Sequence, residues 1–152
     1  MSVRFRNLDV DADAPVATWP TEGVIAALER GSLGDWRRIA MAVRDDPWGP
    51  LARRLEDALA TTRPYGVAAL MERMLQDARQ RTQADERAEV AHRVEELLQA
   101  SGLSRGAFAE AIGTSTSRLS TYVTGRVAPS STLLVRMERV ARDRKGGEGR
   151  SP

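Results

Sequence analysis

The stretch Leu103–Gly125, which reads LSRGAFAEAIGTSTSRLSTYVTG, decides the fold. Its first part predicts a short helix that begins after Ser104, because a serine side chain accepts hydrogen bonds from the free N–H groups of a helix start. The apolar residues of this helix share one face: Phe108, Ala109 and Ile112. Gly113 then ends the helix, since glycine adopts the left-handed backbone of a tight turn without a steric penalty.

A second short helix follows this turn and closes at Gly125. Either Thr114 or Ser115 can cap it. Leu119 and Tyr122 are three residues apart, so they lie on one face, which we expect to pack back onto the first helix. Two short helices that are joined through a glycine turn cross at a steep angle. The stretch therefore predicts a helix-turn-helix.

The pattern resembles the Cro/C1-type helix-turn-helix family of phage repressors and their bacterial relatives, also called the XRE family. That family has a small residue, a glycine, an aliphatic residue and a further apolar residue at fixed spacing, which correspond here to Ala109, Gly113, Leu119 and Tyr122. The resemblance covers about residues 86–142. It implies a DNA-binding domain of four to five helices. The domain is C-terminal here, whereas the family usually carries it at the N-terminus.

The resemblance implies that the second helix enters the major groove of DNA by its N-terminal end. We expect base contacts from the residues exposed there: Thr116, Ser117, Arg118, Ser120 and Thr121. An arginine can form two hydrogen bonds to a guanine, whereas hydroxyl groups specify bases weakly. We expect phosphate contacts from Arg105, Thr114, Ser115 and Arg126. Helix capping and solvation are the alternative explanation for the row of hydroxyl residues.

Positive charge is concentrated at the C-terminal end of the sequence. Residues 101–152 carry 9 basic and 4 acidic side chains, a net charge of +5, whereas residues 1–75 carry −1 and residues 76–100 carry −2. A basic segment is typical of a domain that meets phosphates. A basic tail is the alternative explanation, because four of these charges lie in the last eleven residues: Arg142, Arg144, Lys145 and Arg150.

Helical periodicity and chain breakers predict an all-α protein, in which a long helix joins a small N-terminal helical domain to the C-terminal domain. We expect a flexible arm at 1–19, a helical domain at 20–83, the DNA-binding domain at 84–142 and a disordered tail at 143–152. The tryptophans either pack the N-terminal core or anchor a protein interface, and all three lie in this half: Trp19, Trp36 and Trp48.

The residues that carry catalytic and metal-binding chemistry are scarce. The chain has no cysteine, and His92, its one histidine, lies in a helical stretch among charged residues. We therefore expect no enzyme activity, no catalytic residue, no metal and no cofactor. The sequence also has no apolar run that could span a membrane and no apolar signal core, which favours a soluble cytoplasmic protein.

Two functions fit these observations. The first is a transcription regulator, a repressor or an activator, that binds double-stranded DNA at an operator as a homodimer. Its N-terminal half would supply the dimer interface. The second is the antitoxin of a toxin–antitoxin pair, in which the N-terminal half binds a protein partner and the helix-turn-helix serves autoregulation.

Overall fold

The computed structural model describes residues 3–148, and this part of the chain is all-helical, without a β-strand, which confirms the predicted fold class. Its α-helices are α1 (Thr21–Arg30), α2 (Leu33–Asp45), α3 (Pro50–Thr61), α4 (Val67–Ser101), α5 (Arg105–Ile112), α6 (Thr116–Val123) and α7 (Ser131–Glu148). The chain divides into two compact units, one ending at Thr82 and the other beginning at Gln83. The continuous helix α4 contributes residues to both units.

Local chemistry explains where the first helices begin. At the start of α2, the backbone N–H and the hydroxyl of Ser32 both donate to Oδ2 of Asp35, at 2.9 and 3.2 Å. The carboxylate of Asp35 thus pairs the backbone N–H of the cap residue Ser32, which the helix itself leaves without a partner. Pro50 begins α3, where the missing N–H of proline costs nothing because that position has no partner within the helix.

The segment before α1 is packed into the first unit. Val3, Ala12, Val16 and Trp19 are buried, and the ring of Phe5 meets that of Trp19 edge-on at 5.0 Å. The prediction of a flexible arm over residues 1–19 is therefore wrong for residues 3–19, while residues 1–2 lie outside the described part. The sequence shows alternating small apolar and acidic residues here, but not the distant partners that bury the apolar ones.

The three tryptophans have different environments. Trp19 is fully buried, which fits the interpretation as a core residue. Trp36 is half-buried, and its Nε1 donates to the carbonyl oxygen of Ala27 at 2.8 Å. Trp48 is 47% exposed and lies under the guanidinium of Arg79, 4.4 Å from the ring centre. Only the first two therefore contribute to the core.

The second unit has its own core, which the end of α4 shares with α5, α6 and α7. Its buried side chains are Val94, Leu98, Phe108, Ala109, Ile112, Leu119, Tyr122 and Met137. Helix α7 continues past this core to Glu148. The prediction of a disordered tail over residues 143–152 is therefore wrong for 143–148, which are helical, and residues 149–152 lie outside the described part.

Residues 3–148 lack two kinds of feature. None of the helices there is long and apolar enough to cross a membrane. In the same range, no three or more aspartate, glutamate and histidine side chains are grouped so that they could hold a metal ion.

Candidate nucleic-acid interface

The turn between α5 and α6 is fixed by glycine. Ser104 caps the start of α5, because its Oγ accepts from the N–H of Ala107 at 3.2 Å. At the other end, Gly113 has a φ of +78°, in the left-handed region. The N–H of Thr114 donates to the carbonyl of Ala109 at 2.9 Å, and that of Gly113 to Glu110 at 3.1 Å. These two bonds form a Schellman motif, which ends the helix and sends the chain into α6.

Helix α6 is held by one apolar face. Leu119 is fully buried and Tyr122 is 7% exposed, as their spacing predicts, and Ala109 on α5 is 1% exposed. The small side chain of Ala109 suits a close helix crossing. Ser115 caps α6, because its Oγ accepts from the N–H of Arg118 at 3.1 Å. The orientation of α6 is thus set by its buried face and by its cap, which leaves the opposite face free.

The predicted base-contacting residues lie on this free face and beside it. Thr116, Ser117 and Arg118 are exposed, whereas Ser120 and Thr121 are half-buried. The hydroxyl of Thr121 donates to the carbonyl of Arg118 at 2.6 Å, which leaves its oxygen able to accept a hydrogen bond but not to donate one. Within residues 3–148, the side chains of Thr116, Ser117 and Arg118 make no hydrogen bond. The N-terminal turn of α6 therefore presents unused polar groups.

Three of the predicted phosphate-contacting residues are exposed, Arg105, Ser115 and Arg126, while Thr114 is half-buried. One of them has a neighbour that the sequence analysis missed. Nη2 of Arg105 lies 3.9 Å from Oε2 of Glu95 on α4, with half of the arginine side chain exposed. The two residues are ten positions apart, which is not the spacing of neighbours on one helix, so the local sequence gives no indication of this pair.

Two further arginines support the domain and were also missed. Nη1 of Arg136 on α7 donates to the carbonyl of Ile112 at 3.5 Å, which places a positive charge at the C-terminal end of α5, where the helix dipole favours it. Arg93 on α4 bonds Glu138 on α7 at 2.8 Å, and this hydrogen bond raises the pKa of Arg93. Both contacts join elements that are far apart in sequence.

Comparison with protein families agrees with this geometry. Residues 73–142 match the family described as a helix-turn-helix domain. The match begins upstream of residue 86, where the resemblance was predicted to start, and it ends at the same residue, 142. Comparison with curated proteins and with solved structures found no match. The chain thus carries a helix-turn-helix domain in its C-terminal part.

Proposed function

We propose that the protein is a sequence-specific DNA-binding transcription regulator that recognises an operator through α6. The observation that carries this proposal is the N-terminal turn of α6, where Thr116, Ser117 and Arg118 are exposed and unused while Leu119 anchors the opposite face. In helix-turn-helix proteins this end of the second helix enters the major groove. The likeness to Cro/C1-type repressors supports the same assignment.

The proposed contacts follow from the chemistry of each group. Arg118 would bond O6 and N7 of a guanine and supply most of the specificity. Thr116 and Ser117 can donate or accept a hydrogen bond at a base edge, whereas Thr121 can only accept one. Ser120, which is half-buried, is a further candidate for a base contact. Each hydroxyl should discriminate less than the arginine because it forms single bonds.

The phosphate contacts are proposed around this helix. The hydroxyl of Ser115 keeps its proton for a phosphate oxygen, since only its oxygen is used in the cap. Thr114 would bind beside it, and Arg105 and Arg126 would supply positive charge. Such contacts position a domain on the duplex without specifying its sequence.

The proposal includes a homodimer that assembles through residues 20–75 and binds an inverted repeat. Specific binding in a genome usually needs several kcal/mol more than one such module supplies, and a dimer adds the second module. Large exposed apolar side chains of the first unit that suit an interface are Met41, Trp48 and Tyr65.

The decisive experiment is to sequence the DNA fragments that the purified full chain retains, and then to measure binding to the selected site by fluorescence anisotropy at several salt concentrations. Arg118→Ala should relax discrimination at one base pair, at a cost of about 1–3 kcal/mol for that pair. Arg126→Ala should weaken binding to every sequence and lower the log–log salt slope by about one. No enriched sequence, or no salt-dependent binding, would refute the proposal.

Light scattering tests the dimer separately. The full chain should have the mass of a dimer at micromolar concentration, and a fragment of residues 84–152 that lacks the proposed interface should be a monomer. A monomeric full chain would refute the dimer and leave the DNA-binding proposal to the anisotropy data.

A further inference from the structure

A groove on the first unit lies between α2 and the N-terminal part of α4. Its volume is about 330 Å³, and its apolar lining includes Leu33, Trp36, Leu70, Met71 and Ala78. Met71 and Ala78 are buried at its floor, while Leu33 and Leu70 are 60% and 52% exposed at its edges. Exposed apolar surface with a polar rim is typical of interaction sites.

The shape of the groove favours an extended occupant. Its lining spans residues 33–44 of α2 and residues 70–81 of α4, so each wall is about three helical turns, or about 16 Å, long. A small-molecule pocket buries most of its ligand, yet two large apolar residues of this groove, Leu33 and Leu70, are more than half exposed. An apolar groove of this length suits an amphipathic helix that inserts residues spaced three and four apart.

The charge of the rim identifies the chemistry of that helix. Four arginines and one aspartate, Asp77, line the groove. Within residues 3–148, none of Arg37, Arg44, Arg73 and Arg81 makes an ion pair or a side-chain hydrogen bond.

Among residues 3–148, some of the other arginines of the same unit are engaged, whereas Arg53 on α3 is not. Arg38 donates to the carbonyl oxygens of Ala12 and Ala14, and Arg63 pairs with Glu72 at 2.6 Å. The rim of the groove therefore has unused donors that complement a row of carboxylates.

We propose that this groove binds an amphipathic helix of a partner protein, with an apolar face for the floor and acidic residues for the arginine rim. A second copy of the chain is disfavoured, because a two-fold interface through the groove would bring both sets of arginines together. The proposal is independent of DNA binding, since all lining residues belong to the first unit.

The test uses the full chain and a fluorescein-labelled helical peptide with one leucine face and one glutamate face, measured by anisotropy. Two control peptides have lysine in place of glutamate, or the same composition without segregated faces. The glutamate peptide should bind at micromolar concentration, and the controls at least about tenfold more weakly.

Variants locate the binding. The double variant Arg44→Glu with Arg73→Glu should lower the affinity for the glutamate peptide at least about fivefold. The double variant Leu33→Ala with Leu70→Ala should lower it about tenfold. Matched controls outside the groove, Arg53→Glu on α3 and Val135→Ala at an exposed position of α7, should bind like the parent chain, with circular dichroism to verify folding. The charged variants change exposed residues only, so they test the groove even where the leucine variants unfold.

Three results would overturn the proposal: no binding of the glutamate peptide, equal binding of the lysine peptide, or groove variants that bind like the controls. Self-association of the full chain that is lost in Leu33→Ala with Leu70→Ala would also overturn it, because a second copy would then occupy the groove.

Discussion

Replacing Glu95 with glutamine should strengthen DNA binding. The carboxylate lies 3.9 Å from Nη2 of Arg105, and about a third of the glutamate side chain and half of the arginine side chain are exposed. If Arg105 contacts a phosphate, Glu95 competes for it. Ion pairs of this exposure are worth about 0.2–1 kcal/mol, so their loss should raise the affinity by a factor of about 1.4 to 5.

The assay is fluorescence anisotropy on the selected operator, with Glu138→Gln as the matched control. That variant also removes one negative charge from the domain, but it frees Arg93, which is not a proposed DNA contact. A double-mutant cycle with Arg105→Gln separates the pair from the net charge. Arg105→Gln should weaken binding more when residue 95 is glutamine than when it is glutamate.

Equal increases in DNA affinity for Glu95→Gln and Glu138→Gln would show an effect of net charge alone. This result would refute the competition between Glu95 and a phosphate for Arg105. If Arg105→Gln leaves affinity unchanged in both backgrounds, the assignment of this arginine to the phosphate contacts is wrong. Thermal unfolding of each variant checks that the domain remains folded.

Two further predictions concern stability. Gly113→Ala should destabilise the protein by about 1–2 kcal/mol in urea unfolding, because alanine is strained at a φ of +78°. The matched change Gly106→Ala in α5 should stabilise the protein by up to about 1 kcal/mol, because the added Cβ would lie 4.0 Å from its nearest neighbouring atom. Equal effects of the two variants on the free energy of unfolding would contradict the turn geometry. Burial raises the pKa of Asp35, but hydrogen bonds from Ser32 and Val3 and the charge of Arg38 outweigh it and hold the pKa below its ordinary value. The stability that Asp35 contributes is thus complete above its unfolded pKa of about 4 and is lost as pH falls through its folded pKa. Urea unfolding between about pH 5 and pH 3 should therefore show a steeper loss of stability in the parent chain than in Asp35→Asn. Parallel curves of unfolding free energy against pH would contradict this prediction.

The candidate DNA interface was predictable where its determinants are local. Ser104, Ser115 and Gly113 act on groups three to five residues away, so the starts of α5 and α6 and the turn between them follow from residue type and spacing. The burial of Leu119 follows from helical periodicity in the same way. The two partners of each interaction are close together in the sequence, so little chain entropy is lost when they meet and both can be recognised from one short stretch.

The electrostatic surroundings of that interface were not predictable. Arg136 reaches Ile112 from 24 residues away, and Arg105 finds Glu95 on a preceding helix. A charged residue on a helix surface has many candidate partners at this distance, and only the packing of the helices selects one. The sequence supported Arg105 as a phosphate contact but could not show its competitor.

The sequence alone determined the helical fold class, the starts of α5 and α6 and the C-terminal position of the helix-turn-helix, because backbone capping and apolar periodicity are properties of neighbouring residues. Only the tertiary structure showed that the N-terminal segment packs into the first unit. The N–H of Val3 bonds Asp35 at 2.9 Å across 32 residues, and Arg38 bonds the carbonyl of Ala12 across 26. Only the tertiary structure also showed that the unpaired arginines of α2 and α4 line one groove. The two walls of this groove are separate helices, and their proximity depends on the core beneath them.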